Sequence, residues 1–541
     1  MSTRRGADLL AQSLKAAGVR RIFTLSGNHI MPVFDAALSA GIELLHVRHE
    51  ASAVHMADAY ARLTGEPGIA MVTGGPGHAN AVSALYTAQM SESPVVLLSG
   101  HAPNNQAGMG GFQEMRQAEM TLPVVKAAWT SGSADSVGDD IARAIASSLS
   151  GRPGPTHLSL PTDALEDGTD AAPPAASAFA AHPLPLLEAD ARTVLARLAK
   201  AARPLILAGP ASLTRSGRAR LAALEEACGI PAIGMESPRG VNDPSLGAFA
   251  QMLAQADCVL LLGKRLDFTL KFGQAPAFTA GCEFLQIDVE SAEFQRSRNA
   301  LGTRLIAAIT ADAVSALTTL ERLARAGQVP AGTWRNEVNA AIRYRPPAWD
   351  SATSKEAGKL HPVQACRPLQ ALLDSHPDSV LVSDGGEFGQ WAQACLSAPN
   401  RVINGPAGAI GSALPFALAA RVALPQAPVV ALMGDGTFGF HTAEMDTAVR
   451  YKLPFVSVIG NDARWNAEYQ IQLKAYGPER LVGCELLPTR YDLVTAAFGG
   501  YGEHVTAADV LPAAIGRAQA SRLPALLNVA IEGVAAPVVK R

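Results

Sequence analysis

The sequence predicts an α/β protein of three doubly wound parallel-sheet domains, the first and last being diverged copies of one unit. Short β-branched runs that end in glycine and feed helical patterns recur along the chain: PGIAMVTG, RPLILAGP, DCVLLLG and PVVALMG. Two stretches interrupt that rhythm. One is DGTDAAPPAASAFAAHPLPLLEAD, residues 167–190; the other, between Gln328 and Lys359, contains VPAGTWRNEV and YRPPAWDSATSKEAGK. The expected domains are therefore 1–170, 185–330 and 360–541. The outer two share a layout of strand, glycine turn, helix, proline and strand. GIAMVTGG leads through Gly74 to Pro94 and VVLLSG, and VVALMGDG leads through Gly434 to Pro454 and FVSVIGN, both over 20 residues. A glycine follows the second strand in each, Gly100 and Gly460. The copies differ at the turn, where Gly75 stands against Asp435.

At 541 residues the chain exceeds a single core, and the size prior gives about three or four domains. With 48% hydrophobic and 17% charged residues it can bury large cores. A net charge of -3 without a dense Lys/Arg block excludes the electrostatic footprint of nucleic acid binding, so a small-molecule partner is expected. The six cysteines, at 228, 258, 282, 366, 395 and 484, form no CxxC pair. They fit small core residues in a reducing compartment better than a disulfide framework or zinc site. The N-terminal MSTRRGADLLAQSLKAAGV is amphipathic and not a signal core, and no apolar run is long enough to span a membrane. A cytoplasmic location is the expectation.

In chain order, RIFTLSGNH reads as the first strand and delivers Ser26-Gly27-Asn28-His29 to its carboxyl end. Glu50 in VRHEAS stands at a helix start, a position an acid also favours through the helix dipole alone. In the last segment, the GDG turn after a parallel strand lets a phosphate approach backbone N–H groups. Asp435 beside a polyanion requires an intervening cation, and a divalent metal with oxygen ligands supplies it. Asp462, ending the neighbouring strand run FVSVIGND, reaches the same point, so the two carboxylates are expected to clamp magnesium on a diphosphate.

GDG followed by an Asn pair some two dozen residues on resembles the fingerprint of thiamine diphosphate enzymes, with Asp462 where that family usually has Asn. RHEASAVHMADAYAR, VTGGPGHANAV, GGFQE and GAIGSALPFALAA resemble motifs of its pyruvate oxidase and acetolactate synthase branch. The resemblance spans nearly the whole chain and implies two thiamine diphosphate-binding domains around a Rossmann-like middle one. By position it implies that Asp435 and Asp462, with the Arg464 carbonyl, ligate magnesium, the extra charge of Asp462 being partly balanced by Arg464. It implies that Gly434, Gly436, Thr437 and Asn466 hold the diphosphate, and that Ile410 wedges the cofactor into a bent form. Gly74, Asn80, Gly386, Glu387 and Trp465 join the implied cofactor contacts. Glu50 matches the catalytic carboxylate that promotes the imino tautomer of the aminopyrimidine. His29 resembles a histidine of benzaldehyde lyase, suited to relaying a 2-hydroxy proton, and a surface-loop histidine is its alternative reading. Gln113 matches an active-site glutamine. Asn404 and Ala467 match substrate-facing positions, Asn404 also reading as a loop residue.

The paired histidines of pyruvate decarboxylases are absent near Gln113, and ARWNAEYQIQLKAYG lacks the acetolactate synthase pattern. LLLGKRLDFTLKFGQAP and FLQIDVESAEF resemble 2-hydroxyacyl-CoA lyase and oxalyl-CoA decarboxylase, which implies ADP/CoA at the middle domain, where Lys264, Arg265 and Lys271 meet phosphates or are merely solvated. FAD is the other candidate there. The expected activity is a carbon-carbon lyase or carboligase on 2-hydroxy carbonyl compounds, acyl-CoA thioesters included, with an acetolactate synthase-like carboligase of 2-keto acids as the alternative. A non-catalytic nucleotide-binding homologue is a weaker reading, opposed by Glu50 and Asp435. LILAGPASLTRSG is no GxGxxG fingerprint, which disfavours a dehydrogenase. The resemblance further implies a homodimer or homotetramer in which Glu50 and Asp435 of one site come from different subunits.

Overall fold

The computed structural model describes residues 4–326 and 333–541. It contains three parallel sheets. The first is built from β1 (Arg21–Thr24), β2 (Glu43–His46), β3 (Gly68–Val72), β4 (Val95–His101), β5 (Ala127–Thr130) and β6 (Thr156–Pro161), in the order β2-β1-β3-β4-β6-β5. The middle sheet holds β7 (Pro204–Ala208), β8 (Ala232–Gly234), β9 (Cys258–Leu262), β10 (Glu283–Asp288) and β11 (Leu305–Thr310), in the order β11-β10-β9-β7-β8. The third holds β12 (Val380–Ser383), β13 (Asn400–Ile403), β14 (Val429–Gly434), β15 (Val456–Asn461), β16 (Tyr501–Val505) and β17 (Ala525–Ala530). Its order, β13-β12-β14-β15-β17-β16, reproduces that of the first sheet strand for strand, so the duplication extends from the turn motif to the whole topology.

Strands such as β3, β9 and β12 are buried at every residue, as parallel strands covered on both faces must be. On one face of the first sheet Leu10, Leu14, Ile22, Val96, Ile141 and Leu158 form a core with no exposure. The chain divides into two compact units, Met1–Pro183 and Leu184–Arg541. In the second unit, the middle and third sheets are tied by Arg401–Asp243 at 2.8 Å and Arg215–Asp378 at 2.5 Å.

Of the second interruption, residues 327–332 lie outside the described residues. From Thr333 the chain is helical to Arg343, because Trp334, Val338 and Ala341 recur at helical spacing and bury against the middle sheet. Five cysteines are buried, Cys395 is half-buried and all six are free thiols. No helix among the described residues is long and apolar enough to cross a membrane.

Candidate active site

In the second unit, register decides the geometry. β14 and β15 pair with Gly434 opposite Gly460, so their carboxyl ends are level and Asp435 and Asp462 leave adjacent strands at nearly the same height. Their side chains, 1% and 8% exposed, lie within hydrogen-bonding reach of one another. The backbone N–H groups of Gly436 and Arg464 help hold the charge of Asp435, yet its Oδ2 is buried without a hydrogen-bond partner. Burial raises both carboxyls above the ordinary aspartate range. The charge of Asp435 raises Asp462 further, and Arg464 opposes that rise. Two buried carboxylates with an unsatisfied oxygen between loops are the donor set of a hard divalent cation, so magnesium fits these residues.

Around this pair lies a cavity of about 210 Å³. Its lining brings together the cofactor residues expected in this unit: Gly386, Glu387, Ile410, Gly434, Asp435, Gly436, Thr437, Asp462, Arg464, Trp465 and Asn466, with Ala467 beside them. The backbone shapes it at two glycines. Gly386 turns at φ +76, and a Cβ on Gly436 would stand 2.7 Å from the Trp465 ring. Ala463 adopts a left-handed φ of 57, held by Asn461 Oδ1, which accepts its N–H at 3.2 Å. Asn404 is not part of the lining. It is 2% exposed behind Gly385, whose Cβ would stand 2.9 Å from its Nδ2, and its Oδ1 is unpartnered.

Of the middle-domain cations, Lys264 is 3% exposed with Nζ 2.8 Å from Thr269 Oγ1, and Arg265 Nε lies 3.6 Å from Glu293. Lys271 is exposed.

In the first unit, Glu50 opens the helix Glu50–Thr64, whose N-cap His49 accepts the Ala51 N–H through Nδ1. Asn80 Nδ2 donates to Glu50 Oε2 at 3.1 Å. A Cβ on Gly77 would stand 3.4 Å from Glu50 Oε1 and 2.7 Å from Thr73 Cγ2, so the carboxylate and Thr73 flank one glycine. His29 is 3% exposed and stacks on Phe112 at 5.7 Å. Its Nε2 lies 3.2 Å from the Phe112 carbonyl, which only accepts, so the proton sits there and Nδ1 accepts from Thr73 Oγ1 at 3.1 Å. Loss of solvation lowers its pKa and favours the neutral ring. Gln113 sits at φ 57, and a Cβ on Gly75 would lie 2.8 Å from its Cβ. The loop carrying it is held by Glu114, whose carboxylate accepts the N–H groups of Gly108, Gly110 and Gly111. Gly74 packs against Gly100, a Cβ there falling 2.6 Å from the Gly100 carbonyl.

Two residues of these sites escaped the sequence reading. Thr73, joining His29 to the Glu50 side, is hidden in the apolar run GIAMVTGG. Asp384, in SDGGEFG, carries the signal that found Asp435, a carboxylate at the end of an apolar strand run.

Family comparisons agree with this geometry. The thiamine pyrophosphate enzyme N-terminal TPP binding domain matches residues 4–120, the central domain 191–320 and the C-terminal TPP binding domain 384–529. A probable acetolactate synthase of Mycobacterium bovis is 36% identical, the match covering 97% of this chain and 96% of that protein. The 2-hydroxyacyl-CoA lyase 2 proteins of Bos taurus and Homo sapiens are 33% and 32% identical, over 93% of this chain and 85% of each relative. With both strand-end sites, the duplicated topology and full-length relatives in agreement, the chain belongs to the thiamine pyrophosphate-dependent enzymes, a family of carbon-carbon lyases and carboligases.

Proposed function

We propose that this enzyme cleaves or forms the carbon-carbon bond beside the hydroxyl of 2-hydroxy carbonyl compounds, 2-hydroxyacyl thioesters among them. When bound, thiamine diphosphate supplies the nucleophilic carbon and electron sink for that bond. Asp435, Asp462 and the Arg464 carbonyl hold magnesium, and Gly434, Gly436, Thr437 and Asn466 hold the diphosphate beside Gly386, Glu387 and Trp465. Glu50, with Oε2 bonded by Asn80, keeps Oε1 for the aminopyrimidine ring. Gly74, Gln113 and Ala467 border the reacting groups, and Asn404, packed against Gly385, stands behind them. Sites shared between subunits of a homodimer or homotetramer, and a cytoplasmic location consistent with six free thiols, belong to the same reading.

The observation that carries it is His29. A buried neutral imidazole whose Nδ1 accepts the Thr73 hydroxyl is suited to take the proton of a substrate 2-hydroxyl by relay, Thr73 passing its own proton to Nδ1 as it accepts the substrate's; a 2-keto acid lacks that group. The test is product analysis with a 2-hydroxyacyl-CoA and with pyruvate. Aldehyde release from the thioester, reduced about 10²-fold or more by His29→Ala, supports the proposal. Acetolactate from pyruvate with no thioester cleavage favours the second reading, a 2-keto acid carboligase, to which the 36% identity to a probable acetolactate synthase points.

A further inference from the structure

Ile410 enters the cavity on the turn AIGSA, residues 409–413, and its anchorage comes from elsewhere. Asp384, the residue after β12, is fully buried, and its carboxylate accepts three backbone N–H groups: Gly385 at 2.7 Å, Gly411 at 3.1 Å and Ala413 at 3.0 Å. The Gly411 peptide is held from its other side as well, His441 Nδ1 donating to its carbonyl at 2.7 Å. Gly411 lies at φ +91, where a Cβ would stand 2.6 Å from Phe440 Cβ, so only glycine fits beside Ile410. Ile410 Cγ2 in turn lies 2.9 Å from where a Gly385 Cβ would be, closing the ring of contacts on the residue after Asp384.

Neither Asp384 nor His441 lines the cavity. An apolar side chain would fill the space of Asp384 without the desolvation that lifts its pKa to about 6. What a carboxylate alone supplies is a pair of acceptors that fixes the Gly411 and Ala413 N–H groups on either side of Ser412.

We propose that Asp384 is a positioning residue: by pinning the Gly411 peptide it sets where Ile410 meets the bound cofactor. This rests on the reading of Ile410 as cofactor-facing. The test is Asp384→Asn, which keeps the volume and removes one acceptor and the charge, compared with Ile410→Ala and the double variant. Deuterium uptake of the 405–413 segment should rise severalfold in the cofactor-free protein while β14 stays protected. Thiamine diphosphate should still bind, kcat should fall between about 10- and 100-fold, and the double variant should be no slower than the worse single one. Unchanged exchange in the turn, additive losses in the double variant, or a general loss of protection together with cofactor binding would each overturn it. Should Asp384→Asn not fold, His441→Gln removes the opposite anchor and carries the same expectations. Failure of the unaltered protein to bind thiamine diphosphate overturns the cofactor reading of Ile410, whereas the exchange data still decide whether Asp384 pins the turn.

Discussion

The first and third sheets have the same strand order, and their equivalent turns have opposite chemistry. After β3 the turn is Gly74–Gly75, and the Gly75 N–H is satisfied inside its own unit by Gln117 Oε1 at 2.8 Å. After β14 the turn is Gly434–Asp435, and a buried carboxylate oxygen is left without a partner. In one copy the turn N–H is satisfied by a side chain of the same unit; in the other a buried carboxylate oxygen stays unsatisfied, where the proposed function seats a cation beside the diphosphate. In the proposed function the first copy instead supplies the proton-handling groups, Glu50 and His29. The two sheets thus offer platforms of the same topology, and the proposed roles, charge binding in one and proton transfer in the other, divide at a Gly-to-Asp difference in one turn.

The largest break in this contrast should come from Asp435→Ala. Removing the carboxylate should weaken magnesium-dependent thiamine diphosphate binding by about 100-fold or more in calorimetry, while circular dichroism stays that of a folded protein. Retained affinity would mean the open turn is not the metal site. Glu50→Gln should do the reverse, leaving cofactor affinity close to normal while kcat falls between about 10²- and 10⁴-fold. Because the two residues are expected in one site from different subunits, mixing inactive Glu50→Ala and Asp435→Ala proteins should restore activity. A mixture that stays inactive despite proven subunit exchange contradicts shared sites.

Acid should separate the units by an intermediate amount. His78 and His157 are fully buried in the first unit with rings 4.5 Å apart, and burial lowers His78 to about 4 and His157 well below its ordinary value. The unfolded chain takes up protons near 6.5 that the folded unit refuses, so stability is complete above that pH and is lost below it. For His78 alone the loss at pH 5 is about 2 kcal/mol. Asp384 behaves oppositely: raised to about 6 from 3.8, it costs the third sheet stability above pH 6, and about 1–2 kcal/mol of that cost is relieved at pH 5. Hydrogen exchange, corrected for intrinsic rates, should therefore show β4 and β6 losing protection on going from pH 7 to 5 while β14 and β15 hold. Equal loss in both sheets would remove the contrast.

The smallest effect should come from Gly75→Ala. At φ +58 and 2.8 Å from Gln113 Cβ, the added methyl should destabilise the first unit by about 1–3 kcal/mol in denaturant melts. No change in the midpoint would show that this turn is not tightly closed.

The fold was legible because parallel α/β strands write themselves as apolar runs ending in glycine, and because two such runs repeat at the same interval. The convergence of Asp435 and Asp462 was legible because two carboxylates fall at the ends of neighbouring strands, a pairing that neither the GDG turn nor the Asn-Asp alone would indicate. Thr73 and Asp384 were not, since a hydroxyl in an apolar strand and an acid before two glycines acquire meaning only when the backbone brings His29 and Gly411 to them. Asn404 was legible only as a strand-end amide; that it packs against Gly385 follows from the fold. In GKRLDFTLK the sequence shows the cations but not that Lys264 and Arg265 lie against Thr269 and Glu293, which only the fold reveals.

The most direct measurement is calorimetric titration of metal-depleted protein with thiamine diphosphate, with and without magnesium, for the unaltered chain and Asp462→Asn. Binding that requires magnesium, and that persists in Asp462→Asn, is the predicted result, since an amide oxygen at this strand end can still ligate the cation beside Asp435. Absence of binding at saturating magnesium in the unaltered chain, recovered in Asp462→Asn, would contradict the account by showing that the paired carboxylates close the site instead of holding the metal.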